Sequence, residues 1–98
     1  MSAIGGTGAM KEATDEIQMI CKSVKDAVES KLNKTFSEFQ ATSFKSQVVA
    51  GVNYFIKVHV GAGEHLHLRV YKPLPGQGEL SLHSVQEGKT GADEIMFF

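Results

Sequence analysis

The stretch SQVVAGVNYFIKVHV, residues 46–60, keeps an apolar run going through the point where the chain has to turn. Ala50-Gly51 is the place for a reversal, yet Val48 and Val49 stand directly before it and Val52 directly after. Past the turn, Val52, Tyr54, Ile56, Val58 and Val60 recur at a period of two and share one face of a strand. Phe39 to Val48 reads as the strand before it. Leu66, Leu68, Val70 and Leu74 mark a third strand, Leu80, Leu82 and Val85 a fourth, and a weaker fifth is expected. The connections at 50–51, 61–64 and 75–79 are too short for parallel crossovers, so the sheet is an antiparallel meander.

One helix precedes these strands. Thr14 reads as its N-cap, with Asp15 and Glu16 in the first turn, where the helix dipole favours negative charge. Ile17, Ile20, Cys21, Val24, Ala27, Val28 and Leu32 keep helical spacing, while Gln18, Lys22, Lys25 and Glu29 take the other side. Asn33-Lys34 ends the helix. An apolar helical stripe followed by an antiparallel meander gives an α+β fold, a single domain over residues 1–98 with one long helix packed on the sheet. Residues 1–12, with Gly5, Gly6 and Gly8, read as a flexible arm. Residues 86–91 read as loop, and Ile95, Met96, Phe97 and Phe98 are apolar enough to dock back onto the body.

Composition narrows the function. Ten basic against eleven acidic residues in 98 leave no basic field for nucleic acid or anionic lipid, so neither partner is expected. A chain of this length buries only roughly 65% of its unfolded surface, which allows one core. The single cysteine forms no internal disulfide. MSAIGGTGAMKEA lacks the charged and apolar regions of a signal peptide, and no segment approaches a membrane span. The expected compartment is the cytoplasm, with the nucleus as a second location.

The candidate chemical groups are few. Cys21 lies on the apolar stripe, where a thiol acts as a small buried hydrophobe. His59 and His65 face each other across the 60–64 loop, Lys57 faces His67, and the three histidines share the outer sheet face. Three imidazoles can hold zinc, but Lys57 and Arg69 stand alongside, and a solvated polar face with no metal is the expectation. GGTG neither follows a strand nor opens a helix, as a phosphate loop must. With no HExxH, CxxC or nucleophile elbow, no catalytic residue and no cofactor are expected.

What remains is apolar material at two reversals, Val48-Val49-Ala50-Gly51-Val52 and Leu74-Pro75-Gly76. In a meander these lie at the same end of the sheet. Spacing alone favours a buried strand end beside an ordinary turn, since scattered surface apolars are normal. The other reading is a contact edge shaped for a cleft.

SFKSQVVAGVNYFIKVHVG followed by HLHLRVYKPLPG resembles the stefins, the type 1 cystatins that inhibit papain-like cysteine proteases, from about Ala13 to the C-terminus. The resemblance implies a cystatin-like sheet wrapped around the helix and a protease-binding wedge of three parts. Ile4 and Gly5 would belong to the N-terminal arm in the non-primed subsites. Gln47, Val48, Val49, Ala50 and Gly51 would form a loop across the catalytic cysteine and histidine, and Leu74-Pro75 would cover the primed side. The implied activity is reversible, competitive occlusion of cathepsins by a monomer. The chain departs from the family at Val52, where many stefins are polar, in the four residues before Gly5, and in Gly76-Gln77-Gly78. Two other roles use the same residues: metal binding by His59, His65 and His67, and self-association by a domain-swapped dimer that opens at Val49 to Val52.

Overall fold

The computed structural model describes residues 9–98. Its elements are β1 (Lys11–Glu12), α1 (Asp15–Leu32), β2 (Gln40–Val49), β3 (Gly51–Gly61), β4 (Glu64–Lys72) and β5 (Ser81–Lys89). The five strands form one antiparallel sheet in the order β1-β2-β3-β4-β5. The α+β architecture of one helix on an antiparallel sheet is thus the one the sequence pattern predicts. The described helix is not long and apolar enough to cross a membrane.

Local chemistry sets the helix ends. The Thr14 hydroxyl accepts from the Ile17 amide at 3.2 Å, and Asn33 closes the other end in the left-handed region at φ 56°, a cap that asparagine tolerates. Ile17, Ile20, Cys21, Val24 and Val28 are buried against Ile56, Val58, Leu66, Leu68 and Val70 of the sheet. Ala27, expected on this stripe, lies at its edge and is exposed. Gln18 ties the helix to β2: its amide donates to the Phe39 carbonyl at 3.1 Å and accepts from the Ala41 amide at 2.7 Å. The register shifts between Ala41 and Ser43, an irregularity of the kind that bends a strand.

β2 and β3 fall within a residue of the ends read from the sequence, and three larger differences stand apart from these. β4 ends at Lys72, so Leu74 lies in the loop rather than in the third strand. β5 runs on through residues 86–89, which lack apolar alternation but keep the ladder with His67↔Gln86 and His65↔Lys89. Lys11 and Glu12 pair with Phe44 and Ser43, so part of the stretch read as an arm is a short edge strand.

The outer sheet face is a larger departure. Instead of a solvated polar surface, its middle around Phe55, Lys57 and His67 is a second buried layer under residues 90–98, while His59, His65 and Arg69 beside it are half-buried. Lys57 is buried and its ammonium donates to the Gly91 carbonyl at 2.7 Å and the Asp93 carbonyl at 2.5 Å. Arg69 donates to the Phe98 carbonyl at 2.6 Å and lies 5.5 Å from the ring centres of Phe55 and Phe97, a cation–π arrangement. Phe55 packs against Phe97 and Phe98 with ring centres 5.4 and 5.7 Å apart, and Ile95 is fully buried. Of the tail's apolar residues Ile95, Phe97 and Phe98 dock as the sequence suggests while Met96 stays exposed, and the tail's carbonyls offset part of the cost of taking the Lys57 ammonium out of water.

Candidate functional site

The β2–β3 reversal is as tight as an antiparallel ladder allows. Val48 pairs with Val52 and Val49 with Gly51, so Ala50 alone occupies the apex. Gly51 has φ 110°, a torsion L side chains rarely adopt, and a Cβ there would stand 2.5 Å from the Lys72 carbonyl oxygen. Glycine is therefore required twice over, by torsion and by the approach of β4.

The reversal presents apolar side chains to solvent. Val48 is 79% exposed, Val49 44%, and Leu74 in the β4–β5 connection 50%. The two reversals adjoin, and Val48, Val49, Val52, Leu74 and Pro75 line one groove between them. Of the two sequence readings, the buried strand end fails: the valines and Leu74 stand out from the sheet. Lys72 and Pro73, which the sequence reading did not single out, also line the groove.

Gln47 behaves differently from its neighbours. It is only 6% exposed, and its side-chain oxygen accepts from the Asn53 amide at 3.0 Å. Its side chain braces the base of the reversal, while Val48 and Val49 point outward. Tyr71 was also missed; its hydroxyl donates to the Ala50 carbonyl. The only sequence signal for it is the register that sets Tyr71 opposite Asn53 and Asn53 opposite Gln47. Ile4 and Gly5 lie outside the described residues.

The remaining candidates resolve as follows. Cys21 is fully buried, and burial pushes its thiol up to about 12, which makes it inert as a nucleophile. His59 and His65 face each other with ring centres 4.9 Å apart, and the Glu38 carboxylate pairs with His59, a partner the strand pattern does not reveal. His67 is fully buried, and neither ring nitrogen has a hydrogen-bond partner. Among the described residues no three His, Cys, Asp or Glu side chains gather to hold a metal ion.

Comparison with known proteins bears on these features together. The cystatin domain matches residues 5–92. Cystatin-A1 of Sus scrofa is 48% identical over 95 residues, covering 96% of this chain and 92% of that protein. Cystatin-B of Macaca fuscata fuscata is 50% identical and that of Homo sapiens 48%, each covering 96% of this chain and 97% of its own length. With its helix on a five-stranded antiparallel sheet and this full-length similarity to stefins, the chain belongs to the cystatin family, whose members are cysteine protease inhibitors and not enzymes.

Proposed function

We propose that this protein inhibits papain-like cysteine proteases of the cathepsin type by reversible, competitive occlusion of the active-site cleft. Val48, Val49, the Ala50 apex and Gly51 lie across the catalytic cysteine and histidine, Leu74-Pro75 covers the primed side, and the arm with Ile4 and Gly5 extends into the non-primed subsites. It acts as a monomer inside the cell, in the cytoplasm. The observation that carries the reading is the exposure of Val48, Val49 and Leu74 on two adjoining reversals. Apolar side chains held on a stiff ladder lose little freedom on docking, so less of their burial is offset by ordering. A wedge of this kind suits an interface of roughly 800 Å² per partner. No peptide bond needs to be presented to the nucleophile, hence the reversibility.

Titration of papain with the purified protein, repeated at several substrate concentrations, tests this. Near-stoichiometric inhibition that substrate relieves is the expected result. Val48→Asp should weaken it about tenfold or more, from the lost burial of one valine and the desolvation of a charge. Because Val48 is exposed, that change should leave folding stability within about 0.5 kcal/mol. Val48→Asp protein that inhibits as well as the wild type would remove this reversal from the contact surface.

A further inference from the structure

We infer that the Tyr71 hydroxyl is a positioning residue for the apex of the β2–β3 reversal, holding the Ala50 carbonyl so that Val48 and Val49 are presented in one geometry. The inference rests on the proposed role of that reversal and adds the device that fixes it.

Three observations carry it. Tyr71, on the neighbouring strand β4, donates its hydroxyl to the Ala50 carbonyl oxygen. At the reversal Ala50 lies outside the β2–β3 ladder, since Val49 and Gly51 already pair. Its carbonyl is thus fixed from β4 and not by its own hairpin. Second, the bond depends on the bare glycine beside it. A Cβ on Gly51 would come within 2.8 Å of the Tyr71 hydroxyl and 3.0 Å of the ring edge, the space through which the phenol passes to reach Ala50. Third, Tyr71 belongs to a polar row across the outer face beneath the apex, Gln47 opposite Asn53, Asn53 opposite Tyr71 and Tyr71 opposite Ser81, in which Gln47 and Asn53 are buried and bonded to each other at 3.0 Å. The base of the reversal is therefore locked on β2 and β3, and the hydroxyl extends that lock to the tip.

The consequence is for association. A tip free to sample other torsions docks only in its competent fraction, and apparent affinity falls by that fraction. Losing a positioning contact slows association and leaves dissociation unchanged. Losing a contact to the partner itself speeds dissociation, as most interface substitutions do.

Tyr71→Phe keeps the ring against Gly51 and removes only the hydroxyl. The expected result is an inhibition constant for papain raised about two- to tenfold, carried by the association rate. Amide hydrogen exchange at Ala50 and Gly51 should be faster than in the wild type, with exchange in α1 unchanged. An unchanged inhibition constant would overturn the inference. So would a weaker constant carried by dissociation with unchanged exchange at the tip, because the hydroxyl would then touch the protease directly. A wild-type protein that fails to inhibit papain would refute the occluding wedge instead, and the exchange comparison would still decide whether Tyr71 holds the apex.

Discussion

Acidification should cost the folded protein about 3 kcal/mol through His67 alone. The imidazole is fully buried on the outer sheet face, with both ring nitrogens unpartnered. Burial pushes its pKa down from 6.5 to about 4, and Lys57 opposite it on β3, Lys89 on β5 and His65 on its own strand add to the depression. Asp93 in the tail opposes it, and its carboxyl is held below the usual range by the Thr90 amide. The unfolded chain takes up a proton near pH 6.5 and the folded chain only near pH 4. Between those values the unfolded state binds more protons. Stability is therefore complete above pH 6.5, falls as the pH drops through the window, and levels off below pH 4. A shift from 6.5 to about 4, at about 1.4 kcal/mol per unit, gives the figure above.

Urea unfolding across that window, in the wild type and in His67→Leu, reads the effect directly. The wild type should lose stability at up to about 1.4 kcal/mol per pH unit, and the substitution should remove this component of the slope. The same protonation places a further cation under the tail beside Lys57, whose ammonium is already committed to the Gly91 and Asp93 carbonyls. Exchange of the amides in residues 90–98 should rise before global unfolding. A His67 imidazole that titrates at pH 6.5 or above by NMR, or a wild-type slope in His67→Leu, would refute the reasoning. The contribution of Asp93 separates from it, because the stability its depressed carboxyl adds is complete above 3.8 and is lost only as the pH falls below that value.

Two further substitutions test the two ends of the fold. Gly51→Ala sets a Cβ 2.5 Å from the Lys72 carbonyl oxygen at φ 110°, so the tip must shift; the expected cost is about 1–3 kcal/mol by urea unfolding, with weaker inhibition of papain. Wild-type stability would mean that the tip is not held against β4. Val24→Asp places a carboxylate in the helix–sheet core, where Val24 is buried, and should cost about 4 kcal/mol or more. A dispersed NMR spectrum and a wild-type unfolding midpoint would contradict the assignment of that face.

The helix, its caps and the inner sheet face were legible because they rest on local periodicity. Ile17 to Val28 repeat at helical spacing, Val52 to Val60 alternate, and the buried partners fall where those periods point. The outer face was not, and the reason is physical. Lys57, His67 and Arg69 alternate with the core residues, so a period of two assigns them to water. What buries them is a tail whose carbonyls reach Lys57 from 34 and 36 residues away, and no local pattern encodes that contact. The strand Lys11–Glu12 escaped for the same reason, since polar residues on a short edge carry no apolar signal. At the reversal the difficulty was of another kind. Valines before and after a turn look alike in sequence whether they cap a core or stand in solvent. Only the one-residue apex and the approach of Tyr71 and Lys72 to Gly51 decide it. The close approach of β4 leaves no room for a side chain at Gly51, and Val48 and Val49 stand beside it on the reversal, 79% and 44% exposed, along the groove they share with Leu74 and Pro75.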